Sequence, residues 1–227
     1  MTRVARTACI VLLFGAMAAR DAAAQSPPAG PGRIELAGGA LWIGRSAIGA
    51  ADANETTPTN GSLRLFSTSS DLAGAPSADA RVSVRLTRAI AVDVETAYSR
   101  PELRVAISGD IENAAAVTAV EKIQQYMIGG AVVWYLPVSR WPRLAPFVAG
   151  GGGYLRQLHD QALLVQTGRY YSLGGGVTYL LASRPDRWLK ATGVRVDARA
   201  VVRRDGVAFA AGSHTAPSVG GSFFVRF

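Results

Sequence analysis

The residues best equipped for chemistry in this 227-residue chain are its two histidines, because His214 stands beside Ser213, Thr215 and Ser218. A serine next to a histidine is the pairing of a hydrolase, in which the imidazole takes the hydroxyl proton as the oxygen attacks an acyl carbon. That chemistry needs a third group to orient the ring, and no carboxylate follows Asp205 in the sequence. His159, the other imidazole, lies far off in sequence, and two histidines make a poor metal site. The glycine clusters at 150–153 and 174–176 resemble phosphate cradles only superficially, since neither carries the Lys-Ser or Lys-Thr pair and helix start of such loops. No catalytic residue, cofactor site or metal site is therefore expected.

A different set of reactive groups is more orderly. In GVRVDARAVVR, Val194, Val196, Ala198, Ala200 and Val202 fall on one side of an extended chain, and Arg195, Asp197, Arg199 and Arg203 on the other. ARVSVRLT opposes Val82, Val84 and Leu86 to Arg81, Ser83 and Arg85, and IAVDVETAY opposes Ile90, Val92 and Val94 to Asp93 and Glu95. Alternation with period two is the mark of a strand with one apolar and one polar face. Glu35, Arg81, Arg85, Asp93, Glu95, Arg195, Asp197, Arg199 and Arg226 share the charged parity of their strands. Both signs are present, so these groups are expected to pair with one another.

The elements that carry them are segments of roughly ten residues, the length of a tilted strand crossing a bilayer. Eight are expected, at about 33–44, 80–88, 90–100, 123–136, 144–156, 169–182, 189–203 and 216–227. Alternation alone leaves open a soluble sandwich, with charges facing water, and a membrane barrel, with charges facing the lumen. The links separate them: 45–79, 101–122, 157–168 and 204–215 are long, while Ala89, 137–143 and 183–188 are short. Long outer loops alternating with short periplasmic turns are the habit of membrane barrels. Trp42, Tyr98, Tyr154, Tyr170 and Tyr171 are expected at the outer interface and Trp134, Tyr135, Trp141, Tyr179, Trp188 and Phe227 at the inner one. The alanine-rich piece 111–125 has room for a short helix inside an outer loop. Because an eight-stranded barrel holds little beyond its own side chains, the charges are expected to form a plug.

The amino-terminal residues fix the compartment. Arg3 and Arg6 precede an apolar stretch from Ala8 to Ala19, and Ala22-Ala23-Ala24 has the small-residue form of a cleavage site. Residues 1–24 thus read as a signal peptide, 25–32 as a proline- and glycine-rich linker and 33–227 as the barrel domain. Cleavage would lower the formal net charge from +8 to +6 and remove the only cysteine, Cys9. Disulfides and thiolate chemistry are then excluded. The basic excess is almost wholly arginine and scattered, without a nucleic-acid motif.

LAPFVAGGGGYL at 144–155, SLGGGVTYLLA at 172–182 and the ending SVGGSFFVRF resemble the small outer-membrane barrels related to the OmpA transmembrane domain and OmpX. The resemblance covers residues 33–227 as a pattern of strands. It implies an all-β, eight-stranded antiparallel up-and-down transmembrane β-barrel, monomeric and without enzymatic activity. It further implies that the aromatic ending, with Phe223, Val225 and Phe227, is a signal read by the barrel-assembly machinery. The expected partners are outer-membrane lipid and lipopolysaccharide, with no nucleic acid. An envelope-structural or surface-interaction role is expected; the alternatives are a narrow channel or small-ligand carrier and a lipid-modifying enzyme. A soluble periplasmic barrel is the alternative fold.

Overall fold

The computed structural model describes residues 32–56, 62–109, 115–137, 143–159, 164–207 and 212–227. The segments expected as export signal and linker lie outside the described residues, Gly32 apart. Eleven strands follow in order: β1 (Ile34–Ile43), β2 (Ser46–Thr56), β3 (Ser62–Leu72), β4 (Ala75–Arg85), β5 (Ile90–Ser99), β6 (Glu102–Ser108), β7 (Val117–Tyr135), β8 (Leu144–His159), β9 (Val165–Ser183), β10 (Ala191–Asp205) and β11 (Ser213–Arg226). Every pairing is antiparallel, and eight strands close a circuit β1-β4-β5-β7-β8-β9-β10-β11. Closure runs from Glu35 opposite Arg226 to Ile43 opposite Ser218, so the membrane half of the sheet has no free edge. In lipid that condition is obligatory, because an unpaired backbone group there costs several kcal/mol.

The two faces sort as the alternation requires. Val82 and Val84 on β4, Val92 and Val94 on β5, Ile128 and Val132 on β7, and Val194 and Val196 on β10 are exposed on the outside. Their sequence neighbours Arg81, Ser83, Asp93 and Arg195 are buried inside. Trp42, Tyr126, Tyr154 and Tyr171 ring one end of this apolar belt, and Trp134, Tyr179 and Trp188 the other. Phe227 stacks on Trp188 with ring centroids 4.6 Å apart. Two expected rim residues behave otherwise: Tyr170 and Tyr135 sit on the inward parity and are buried in the lumen. Trp141 lies outside the described residues.

The largest departure is in the expected outer loops. Most of 45–79 and part of 101–122 are strands: β2, β3 and β6 continue the barrel wall outward and pair in the order β2-β3-β6 with the first half of β7. β4 also starts at Ala75 instead of residue 80, and β7 at Val117 instead of residue 123. Residues 117–125 are therefore strand and not helix; 111–114 lie outside the described residues. The physical reason is that β2 (SAIGAADANET) carries a single large apolar residue, the buried Ile48, among small and polar ones. Backbone pairing with β3, which hydropathy does not register, holds it in place.

Candidate functional site: the charged lumen

Parity puts all nine charged residues singled out from sequence on the inner wall, and the barrel circuit brings them within reach of one another. Arg195 donates to Asp93 (Nη1 to Oδ2, 3.2 Å), and neither side chain has exposed surface. Arg199 holds two carboxylates, Glu95 at 2.7 Å through Nη1 and Asp197 at 2.6 Å through Nε. Arg81 bridges the groups, with Nε 3.8 Å from both Asp93 and Glu95 and Nη2 3.7 Å from Asp79. Near the chain terminus Arg226 donates to Glu35 through Nε (3.2 Å) and again through Nη2. Arg85 makes no ion pair among the described residues and lies over the ring of Tyr135, 4.7 Å from its centroid.

Three lumen residues were absent from that set. Asp79 belongs to the network because β4 starts earlier than hydropathy indicates. Tyr170 donates its hydroxyl to Glu95 (3.4 Å) across the lumen. Arg203 lies on the charged parity of β10, yet it is 5 % exposed and makes no ion pair among the described residues. With Asp79 included, five carboxylates face the five arginines of the network (Arg81, Arg85, Arg195, Arg199 and Arg226), and Arg203, a sixth buried arginine, is left over from that balance.

The opposite wall explains how so many long side chains fit. On β8 and β9 the inward positions facing the network are Gly151, Gly153, Ser172, Gly174 and Gly176. A side chain at Gly129 would strike the Tyr170 hydroxyl, 2.5 Å from where its Cβ would lie. Phe224, bulky and on the inward parity, is accommodated likewise by Gly193, whose Cβ would come 2.5 Å from the ring.

Along the barrel axis charged and apolar layers alternate. At the inner end Tyr135 and Phe147 pack together beside Ala91, Val133, Ala145 and Ala149, and Arg195 lies 4.0 Å over Phe147. Above the charges is a cavity of about 50 Å³ bordered by Arg81, Glu95, Tyr170, Ser172 and Arg199. That is room for a few waters. Ile43, Met127, Leu155, Tyr170, Val201 and Ala216 roof it. A polar layer follows, where Gln157 donates to Gln125 (3.0 Å) and accepts from the Val207 amide (2.8 Å). Ile48, Leu72, Leu103, Ile123 and Val207 form the outermost cluster.

The residues weighed for hydrolysis do not assemble. His214 points inward opposite Arg203, whereas Ser213 and Thr215 are exposed on the other face. Ser218 donates instead to the Arg199 carbonyl (3.3 Å), and His159 pairs through Nδ1 with Glu121 (2.8 Å). Among the described residues no three His, Cys, Asp or Glu side chains converge as metal ligands.

No family model matches the chain, and no curated protein matches its sequence. Solved structures do resemble it. Neisserial surface protein A superposes with a TM-score of 0.52 at 12 % identity, covering 86 % of this chain and 97 % of that one. OprG of Pseudomonas aeruginosa gives 0.46 at 11 % identity over 89 % and 100 %. The attachment invasion locus protein Ail of Yersinia pestis gives 0.37 at 10 % identity over 86 % and 98 %. The fold is that of a small outer-membrane β-barrel, closed by eight antiparallel strands.

Proposed function

We propose that this chain is a monomeric integral outer-membrane barrel, exported by a cleaved signal, whose role is envelope-structural or surface-interacting and not enzymatic. The observation that carries the reading is the occupied lumen: paired charges fill its middle, and apolar clusters close it above and below. A solute path would have to break buried ion pairs, each costly to separate. Contact with the surroundings then falls to the outward faces and to the extension built by β2, β3 and β6. In planar bilayers the purified protein is expected to give no steady conductance. Large, long-lived pores would overturn the plug and favour a channel.

The C-terminal strand carries the second half of the proposal. Phe223 is exposed on the lipid side, Val225 shares its parity, and Phe227 ends the chain against Trp188. Phe227 contributes backbone bonds to Arg33 and Ile34 at the closing seam, outside the ladder proper. Deleting Phe227 is expected to reduce insertion in cells sharply while refolding into detergent falls much less. Normal levels of the truncated protein in the outer membrane would remove the terminal aromatic as an assembly signal.

A further inference from the structure

We infer that the outward face of β7 to β10 at the outer rim binds a phosphorylated glycolipid of the outer leaflet, with Arg156, Arg169 and Arg204 holding its phosphates. The inference rests on the topology proposed above, in which the long-link end of the barrel is the cell-surface end.

All three arginines are exposed on the lipid-facing parity. Arg204 stands directly opposite Arg169 across β9 and β10, and Arg169 directly opposite Tyr154 on β8. Arg156 stands opposite Tyr126 on β7 and opposite Thr167 on β9, which makes it the diagonal neighbour of Arg169. Directly opposed residues on one face have Cβ atoms ~5 Å apart and diagonal ones ~7 Å apart, and like charges so placed repel. None of the three makes an ion pair among the described residues; their outward neighbours include Gln124, Leu158, Thr167, Val202 and Ser213, and the exposed Asp205 that follows Arg204 lies on the opposite parity. In the lumen, by contrast, Arg81, Arg195, Arg199 and Arg226 each meet a carboxylate. A cluster of opposed guanidinium groups lacking an internal anion is complementary to an external one, and phosphate accepts the two-pronged bonds that arginine offers.

Position selects a lipid over a soluble anion. The cluster stands immediately above Tyr126, Tyr154 and Tyr171, the exposed aromatic ring of the apolar belt. Tyrosine prefers the headgroup level, with its ring against apolar groups and its hydroxyl in the polar zone. Beneath it the outward positions Gly130, Gly150 and Gly152 adjoin one another in register, bordered by Ile128, Val132 and Leu173. A Cβ at Gly130 or Gly150 would meet nothing nearer than 3.4 Å, whereas one at Gly152 would meet the Tyr171 ring at 3.0 Å; Gly130 and Gly150 thus form a shallow depression on the lipid-facing wall, bounded on its outer side by Tyr171, where an acyl chain can lie. The opposed pair Arg169 and Arg204 with the diagonal Arg156 spreads charge over three strands. That spread suits a headgroup bearing two phosphates on a sugar core.

The test uses the refolded full barrel in detergent with four probes: bisphosphorylated lipid A, the same lipid stripped of phosphate, dioleoylphosphatidylglycerol and inorganic phosphate. Native mass spectrometry counts bound lipid, and titration gives the affinity. Wild type is expected to retain bisphosphorylated lipid A, and R169Q/R204Q to bind it at least about tenfold more weakly, as loss of charge-assisted bonds implies. R184Q/R187Q, at the opposite end of the barrel, is expected to bind as wild type. Heat-dependent gel mobility establishes that each variant is folded. Equal binding by R169Q/R204Q or by the dephosphorylated lipid would overturn the site. Arginine-dependent binding of phosphatidylglycerol with equal affinity, or full displacement by inorganic phosphate, would overturn the assignment to a glycolipid. The topology is tested separately by labelling Gly212→Cys with an impermeant maleimide in intact cells. Labelling supports it; labelling only after permeabilisation overturns the orientation while leaving the binding result in detergent standing.

Discussion

Arg195 and Asp93 meet at 3.2 Å in the lumen with no exposed side-chain surface, whereas Arg45 and Asp71 meet at 2.8 Å on the outer extension with Arg45 74 % exposed. The closer pair is the weaker. At the surface water and salt screen both charges, and holding two long side chains together costs rotamer entropy, leaving about 0–1 kcal/mol. In the lumen the same chemistry cannot be ignored, because either charge left alone would be buried without compensation. The barrel interior and the extension thus use one kind of contact for different ends. Inside, the pairs enforce a unique packing of the plug. Outside, the sheet is held by backbone bonds between β2, β3 and β6 and by the buried Ile48, Leu72 and Leu103, and its exposed side chains are free to meet other molecules.

The sharpest way to break this contrast is Asp93→Ala, which strands Arg195 and deprives Arg81 of a neighbour 3.8 Å away. The expected loss is ~3–5 kcal/mol of unfolding free energy, read by reversible urea unfolding in lipid vesicles. Replacing the pair together, as D93L/R195M, is expected to recover most of that loss, since an apolar pair of similar volume carries no desolvation penalty. A loss below ~1 kcal/mol for Asp93→Ala would put the lumen pair in the class of surface pairs.

That experiment was conceivable from the sequence because the alternation around Arg195 and Asp93 is strict, so parity alone assigned their face. The eight barrel strands were legible for the same reason, each having one face in lipid. β2, β3 and β6 were not. β2 and β3 are mostly small and polar, and β6, although Leu103, Val105 and Ile107 alternate with Glu102, Arg104 and Ala106, is only seven residues long, short of a bilayer-crossing strand. Asp79 was lost with the early start of β4. Tyr170 and Tyr171 cannot both belong to the rim, because adjacent strand residues face opposite ways; the even positions of β9 turn inward, Tyr170 with them, and Gly129 leaves room for its hydroxyl. Which carboxylate each arginine holds depends on distances across the lumen that one-strand parity does not contain.

A second prediction inverts the sign of the first. Arg203 is buried in the upper lumen, and among the described residues its Nε has no hydrogen-bond partner and no carboxylate pairs with it. Arg203→Met is therefore expected to leave stability unchanged or raise it by up to ~1–2 kcal/mol, because it removes an uncompensated buried charge while keeping most of the volume. Arg195→Met is expected to destabilise, since it leaves the buried Asp93 with only the more distant Arg81, 3.8 Å away. If both substitutions destabilise alike, Arg203 has a role in the plug equal to that of the paired arginines, and the distinction drawn from ion pairing fails.

The smallest effect is expected at Arg45→Ala. The side chain projects mostly into water, and its ion pair runs from the link just before β2 to Asp71 on β3, where the β2–β3 ladder does not depend on it. Global stability in vesicles is expected to change by less than ~1 kcal/mol, and the small change to vanish in high salt, where exposed charges are screened. Asp71 is less exposed than its partner, so the substitution leaves it short of one donor; this sets the sign as destabilising. A local readout is more sensitive than a global one here. Protease added to intact cells is expected to cut within residues 45–79 of the variant somewhat faster than in wild type, with the barrel strands protected in both. A global loss approaching that of Asp93→Ala would mean that the extension and the plug unfold as one unit, and the contrast between a paired interior and a backbone-held exterior would no longer describe the molecule.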